Sequence, residues 1–371
     1  MIPENFMNSI LQVLPSFHAG GVEQTTMHVA NALAEQGINS FVVSEGGLLV
    51  KKLHPGVTHI CLPLNTKNPY LIFSNSKKIK KIIEENNINI VHARSRAPAW
   101  SAYLAAKATN THFITTYHGA YGQNFLKWYY NRVMALGKPV IVASAYMEDH
   151  VKKYYPNVQC VQIPSGIRTA FFSPELVNQS KIQELKTRWD LREDSKVILL
   201  IGRFTHIKGH HILLQAVSQS VFKDYLNIVF VGDSKNSKLV NELKNQAAAF
   251  SIKLHVHIDE KDLRSFYKLA NVVVVPTTKP EAFGRVTVEA MSMEKIVIVN
   301  DLGASSEVVN NSEWVFSHSS VADLTQKIDA ALCLAQGQIQ DIGIENRLRA
   351  MTLYDVESLI AGHMQVYKQS T

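Results

Sequence analysis

Lys196-Val-Ile-Leu-Leu-Ile-Gly202-Arg203-Phe-Thr-His-Ile-Lys208-Gly209 is the stretch on which the fold reading turns. Val197 to Ile201 form an unbroken apolar run, the length of a strand covered on both faces. Gly202 ends that run, Gly209 opens a helical pattern, and Arg203 and Lys208 stand in the loop between. A strand that passes through a glycine loop into a helix is the building unit of a parallel sheet with helices on both faces. Downstream, Leu226 to Val231, Lys253 to His257, Asn271 to Pro276, Lys295 to Asn300 and Glu313 to Phe316 repeat the strand signal. Upstream, the same alternation gives strands at Ile10 to Pro15, Ser40 to Ser44, Ile88 to His92, His112 to Thr116, Pro139 to Ala143 and Gln159 to Ile163. The clearest helix, Val22 to Gln36, begins directly after Gly20-Gly21 and stops at Gly37. The expectation is an α/β chain of two doubly wound, Rossmann-like units. Pro164-Ser-Gly166 and Phe171-Phe-Ser-Pro174 punctuate the seam, which sets the units at residues 1–168 and 169–353. The tail, 354–371, is helical, and periodicity leaves open whether it stays with the second unit or packs back on the first.

Length and composition agree. At ~150 residues per domain, 371 residues suit two domains. Hydrophobic residues are 46% and charged residues 19%, enough apolar material for large cores and too much for a disordered chain. No apolar run nears the ~20 residues of a membrane span. The opening MIPENFMNSILQVLPSF carries no Lys or Arg ahead of its apolar stretch, which argues against a secretory leader and for a cytoplasmic location. Cys61, Cys160 and Cys333 are odd in number and far apart, so they read as buried thiols rather than a disulfide or zinc framework. Charge is lopsided: residues 1–170 hold 16 basic and 8 acidic side chains (+8), the rest 22 and 23 (−1). Such an excess suits an anionic partner such as a membrane surface, or simply a solvated basic face. No nucleic-acid module accompanies it.

Four places could carry chemistry. Gly20-Gly21 follows the first strand and could let backbone N–H groups approach an anion, although a tight turn alone would explain it. In the Gly202–Gly209 loop a guanidinium and an ammonium suit a diphosphate; the G-K-[ST] ending of a Walker loop is absent. In Lys279-Pro-Glu281-Ala-Phe283-Gly284-Arg285-Val-Thr-Val-Glu289-Ala-Met, a loop acid and a helical acid flank the N–H groups of Phe283, Gly284 and Arg285, an arrangement for binding hydroxyls on either side of a phosphate. The plainer reading is one capping acid and one surface acid. Finally, Tyr117-His118-Gly119 ends a strand of the first unit, and Tyr121, Phe125, Trp128, Tyr129 and Tyr130 follow. His118 is the functional candidate there, and most of the aromatics read as core. Other histidines (206, 210, 211, 255, 257) lack the carboxylates of a ligand set, and no D-x-D triplet occurs to hold a metal-bound nucleotide, so no metal is expected.

Taken together, these segments resemble the retaining nucleotide-sugar glycosyltransferases of family 4, over nearly the whole chain. The order that carries the resemblance is Gly20-Gly21-Val22, Tyr117-His118-Gly119, Ile163-Pro-Ser-Gly-Ile167, Gly202-Arg203 with Lys208-Gly209, and Glu281 with Glu289. The block EAFGRVTVEAM is the most specific. The resemblance implies the GT-B fold, two Rossmann-like domains facing each other across a cleft. It also implies transfer of a hexose-type sugar from a nucleotide diphosphate donor, which is a substrate, with no cofactor. By motif, Arg203 and Lys208 would hold the diphosphate, Glu289 the ribose, Glu281 the sugar hydroxyls, and Gly202, Phe283, Gly284 and Arg285 would complete the donor site. His118 would face the sugar, and Gly20 and Gly21 the phosphates. The departures are Arg168 in place of an acid after Ile167, Glu294 and Ile296 in place of Gly and Pro, and Ala304 in place of the second glycine of a pair. Arg168 and Ala304 leave open a non-catalytic glycan-binding or partner subunit, and a GT-B epimerase, which would share the nucleotide site without an acceptor groove, stays open beside it.

The acceptor side reads from the first unit. Lys77, Lys78, Lys80 and Lys81 share one helix near Lys51, Lys52 and Lys67, and Arg94, Arg96 and Tyr117 lie at strand ends where an acceptor could meet them. This pattern suits a glycan or lipid-linked, lipopolysaccharide-core-like acceptor at the inner face of the cytoplasmic membrane.

Overall fold

The computed structural model describes residues 9–18, 20–122, 124–233, 236–318 and 320–370; residues 1–8, on which the leader reading rests, lie outside them. The chain divides into two compact units, one of residues 1–166 with 356–371, the other of residues 167–355. In the first, the strands are β1 (Ser9–Val13), β2 (Asn39–Ser44), β3 (Val57–Cys61), β4 (Ile90–Ala93), β5 (His112–Tyr117), β6 (Val140–Val142) and β7 (Cys160–Gln162). Helices α1 (Gly21–Glu35), α2 (Pro69–Glu85), α3 (Arg96–Thr109), α4 (Phe125–Asn131) and α5 (Ala145–Tyr154) connect them. Among the described residues they form a seven-stranded sheet, order β3-β2-β1-β4-β5-β6-β7, and these neighbours pair in parallel. The chain builds outward from β1 to β3 and then returns to the other side of β1. That reversal makes a switch point between β1 and β4, where open sheets bind ligands. β3 is a strand that the sequence does not announce. It lies at the sheet edge with only partly buried side chains, so its apolar signal is weak.

The second unit has β8 (Lys196–Ile201), β9 (Leu226–Gly232), β10 (Lys253–Ile258), β11 (Val272–Val275), β12 (Ile296–Asn300) and β13 (Val315–Phe316). Among the described residues their order is β10-β9-β8-β11-β12-β13, with the switch point between β8 and β11. Its helices are α6 (Gln179–Arg188), α7 (His210–Ser218), α8 (Ser237–Ala249), α9 (Arg264–Leu269), α10 (Arg285–Ser292), α11 (Ser305–Val309), α12 (Val321–Cys333) and α13 (Gln336–Leu353). Val197 to Ile201 are buried, as a strand covered on both faces requires. Asn178 caps α6 by accepting from Lys181 N, a contact of the kind worth about 1 kcal/mol.

The last helix, α14 (Val356–Gln369), belongs to the first unit. Its Leu359, Met364, Val366 and Tyr367 join Ile10, Val29, Leu33, Ile90, Ile114, Ile141 and Ile163 in one core cluster. The seam also lies slightly off residue 168. Ile167 N donates to Tyr354 O at 2.9 Å and Thr169 N to Asp355 Oδ2 at 3.1 Å, so residues 167, 168, 354 and 355 all stay with the second unit.

Two composition-based readings are corrected. Cys61 and Cys333 are exposed rather than buried, Cys61 ending an edge strand and Cys333 ending α12. Phe125 and Tyr129, read as core, are 81% and 59% exposed on the short helix α4, whose buried contacts are made by Trp128 and Asn131.

If the tail is part of the first unit's core, Leu359→Ala should destabilise the protein by ~2–5 kcal/mol, the range for emptying a buried leucine site. Urea denaturation followed by tryptophan fluorescence measures this; an unchanged midpoint would show that the tail does not hold the core.

Candidate functional site

In the second unit, backbone approaches backbone at two glycines. Gly209 has φ +72°, and a Cβ there would lie 1.9 Å from Pro276 O. Gly303 has φ +73°, and its Cβ would lie 2.5 Å from both N and O of Glu281. Only glycine fits such approaches. They bring the β8–α7 loop and the loop after β12 against the loop after β11. Thr278 N donates to Ile207 O at 2.7 Å, and Ala304 N donates to Glu281 O at 2.9 Å. Ala304, a departure from the family pattern, is fully buried with its N–H spent on that bond.

The consequence is an ion pair between Lys208 Nζ and Glu281 Oε1, each side chain about one-fifth exposed. Beside it, α10 begins at Gly284 (φ +96°) with no side-chain cap on its first N–H groups. Phe283 is buried and packs edge-on against Tyr354, ring centroids 5.4 Å apart, which fixes the loop ahead of that end. Glu289 is not the surface acid of the plainer reading: it is buried within α10 and accepts from Tyr267 Oη at 3.0 Å. Burial pushes its carboxyl up, opposed by the Arg285 charge and the Tyr267 hydrogen bond. Sequence gives no notice of Tyr267, because a tyrosine in the short mixed helix Arg264–Leu269 carries no sign that its hydroxyl faces an acid. Gly202 and the exposed Arg203 line a cavity of about 280 Å³ with Gly232, Asp233, Asp259 and Glu260. The loops after β8, β11 and β12 therefore meet at one sheet edge.

In the first unit, Gly20 is the residue before α1, no side chain caps that helix, and Gly21 is its first residue. His118 follows β5; its Nε2 is enclosed without a hydrogen-bond partner. Burial, reinforced by the Arg94 charge, pushes His118 down to about 3, so the ring is neutral at pH 7. Two acceptor candidates are corrected. Arg94 is wholly buried, its guanidinium engaged by Gln12 and His363, and Tyr117 is wholly buried with its ring 4.8 Å from that of Tyr121. Neither can meet an acceptor. A strand-end position marks both, but sequence does not show that the tail helix closes over Arg94. Arg96 is partly exposed, stacked 3.7 Å from the Tyr121 ring centroid and donating to Asn131 Oδ1 at 3.0 Å. Among the described residues no group of three or more His, Cys, Asp or Glu is disposed to hold a metal ion.

Comparison with known proteins gives consistent matches. The model for Glycosyltransferase Family 4 matches residues 19–171, and that for Glycosyl transferases group 1 matches residues 181–339. A crystal structure of a glycosyltransferase from Rickettsia africae is similar at 32% identity and TM-score 0.89, covering 98% of each chain. The lipopolysaccharide 1,2-N-acetylglucosaminetransferase of Salmonella typhimurium is 27% identical over 46% of this chain and 46% of its own length. The phosphatidyl-myo-inositol mannosyltransferase of Mycolicibacterium smegmatis is 24% identical over 79% of this chain and 76% of its own.

Buried neutral histidines make stability acid-sensitive. Burial holds His118 and His210 down to about 3 and His255 to about 4, against an ordinary value of 6.5. Below pH 6.5 the unfolded chain binds protons that the folded chain refuses, so stability falls progressively from about pH 6.5 towards 3. Denaturation midpoints at pH 7, 6, 5 and 4 should decline in that order; a flat profile would contradict the buried neutral assignments.

Proposed function

Because the chain belongs to glycosyltransferase family 4 and has the GT-B fold, we propose that it is a retaining, metal-independent transferase. In this reading it moves a hexose-type sugar from a nucleotide diphosphate donor to a glycan or lipid-linked acceptor. The observation that carries the reading is the Lys208–Glu281 pair beside the uncapped start of α10. Breaking a glycosyl–phosphate bond builds positive charge on the sugar ring and negative charge on the departing diphosphate. In this reading Arg203, Lys208 and the α10 N–H groups meet that negative charge. The diphosphate replaces Glu281 as the partner of Lys208, and the released carboxylate accepts from the sugar hydroxyls. Glu289, oriented by Tyr267, accepts from the ribose. The departing phosphate oxygen takes the proton of the incoming hydroxyl on the face it leaves, which retains configuration. His118, a neutral imidazole, is the first unit's candidate for a part in the reaction. The nucleotide sugar is a substrate, and no further cofactor enters.

A lipid-linked acceptor is supported by the surface of the first unit. Tyr70 and Phe73 at the start of α2, and Phe125 and Leu126 on α4, are more than half exposed. Lys67 lies over the Tyr130 ring at 6.0 Å and Lys77 over the Phe73 ring at 4.8 Å, so cations border the aromatics. Lys80 and Lys81 instead pair with Glu84 and Glu85 at 3.4 Å, which shifts the basic character from the far end of the helix to its aromatic end. Aromatics ringed by lysine suit the headgroup region of an anionic leaflet. Two relatives carry names that include a lipopolysaccharide and a phosphatidylinositol, in keeping with this reading. Among the described residues no helix is long and apolar enough to cross a membrane. The contact in this reading is peripheral, at the inner face of the cytoplasmic membrane.

Lys208→Ala and Glu281→Ala should each lower transfer roughly a hundredfold or more while leaving the far-ultraviolet circular dichroism unchanged. Near-normal turnover by either variant would reject the site. Co-sedimentation with anionic vesicles should weaken roughly fivefold per charge for Lys67→Ala and Lys77→Ala, and less so at high salt. Equal sedimentation of wild type and variants would reject the membrane contact.

A further inference from the structure

Arg96 is a guanidinium held in place without an acid. It opens α3 soon after β4 ends, at the carboxyl edge of the first sheet beside the β1/β4 switch point. Its Cζ lies 3.7 Å from the Tyr121 ring centroid, and its Nη1 donates to Asn131 Oδ1 at 3.0 Å. Asn131 is itself wholly buried, so the fork is fixed on one face by a ring and on one edge by an immobile acceptor. Among the described residues no Asp or Glu pairs with Arg96, and Asn131 and the Tyr121 hydroxyl are its polar partners. Two partners leave most of the five N–H donors of a guanidinium unspent. Arg94, on the same strand end, shows the alternative: it is wholly buried, and Gln12 and His363 take up its donors inside the core. Arg96 is partly exposed, and its fork is left for a ligand.

A second cation reaches the same place from another strand. Lys67 is exposed in the loop between β3 and α2, and its Nζ lies 6.0 Å from the Tyr130 ring centroid. Tyr130 precedes Asn131, so the guanidinium and the ammonium converge on consecutive residues of α4. Trp100, one turn after Arg96, donates from Nε1 to Tyr130 O at 3.1 Å and stacks on Tyr129 with ring centroids 6.1 Å apart, which holds α4 against α3. Among the described residues Lys67 has no acid partner either, whereas Lys80 and Lys81 on α2 pair with Glu84 and Glu85. A fixed planar fork and a mobile point charge, both free of carboxylates, match a phosphate: the fork bonds two oxygens side by side and the ammonium takes a third.

We propose that Arg96 and Lys67 form a phosphate-binding site of the first unit, which takes a phosphomonoester carried by the acceptor. The site lies wholly within that unit. It rests on reading the first unit as the acceptor's side, and it narrows the acceptor to a phosphorylated one, with the phosphate on a lipid headgroup or on a water-soluble sugar or polyol.

The test is equilibrium dialysis of the full chain with radiolabelled glycerol 3-phosphate, run in a Lys208→Ala background so that the second unit's loop is disabled. Binding should persist there. Adding Arg96→Lys, which keeps the charge and removes the fork, should weaken it about tenfold. Adding Lys67→Ala instead should weaken it about fivefold, and this exposed position keeps the test decisive if the Arg96 variant fails to fold. No binding in the Lys208→Ala background, or equal binding by both double variants and their parent, would overturn the proposal. A second arm distinguishes the sources of the phosphate: sedimentation with vesicles of phosphatidic acid or of phosphatidylglycerol, matched in surface charge. A preference for phosphatidic acid that Arg96→Lys abolishes assigns a lipid headgroup. Equal sedimentation with both, alongside Arg96-dependent binding of glycerol 3-phosphate, assigns a water-soluble phosphorylated acceptor. Arg96-dependent binding in a protein that transfers no sugar would leave the phosphate site standing and reject the transferase reading instead.

Discussion

The close backbone contacts at Gly209 and Gly303 are the constraint on which the second unit's site depends. A side chain at either position would collide with Pro276 O or with the backbone of Glu281. Because none is present, loops from three strands lie against one another at the carboxyl edge of the sheet. Lys208 then reaches Glu281, and the start of α10 lies beside both. The chemistry at this edge is electrostatic. A cation, an acid and the uncapped start of α10 are held side by side, and in the proposed reaction the Lys208–Glu281 pair parts so that each can meet its own share of the donor's charge.

The first unit solves a different problem with the same architecture. Its switch point carries one buried cation, Arg94, in a cluster of neutral hydrogen-bonding groups. Burial, with the Arg94 charge second to it, holds His92, His118 and His363 neutral. The tail helix supplies both the apolar contacts that seal this core and two of the polar groups that hold the guanidinium. Stability and electrostatics are therefore joined in one element, and acid should weaken both together.

How much of this is legible in sequence depends on the range of the interaction. Val197 to Ile201 show as a strand because a doubly covered strand needs no partner to be recognised. The EAFGRVTVEAM block and the Gly202–Gly209 loop show because their glycines and charges are local. The edge strand β3 does not, since half-exposed residues give little contrast. Nor does the burial of Glu289, because its partner Tyr267 lies on another helix. Arg94 sits at the strand end that sequence assigns it, yet it faces a closed core instead of an acceptor. The groups that cover it, His363 and Tyr367, come from some 270 residues later in the chain. Phe125 and Tyr129 mislead because aromatic composition signals burial on average and does not mark which aromatics stay exposed.

The most direct test of the central claim, that the second unit's sheet edge binds a nucleoside diphosphate through protein charges alone, is calorimetric titration with UDP, GDP and ADP in the presence of a chelator. Binding of one of them, weakened by salt, unaffected by the chelator and lost in Lys208→Ala, is the predicted result. No binding of any of the three, or binding that appears only when a divalent metal is restored, would contradict it.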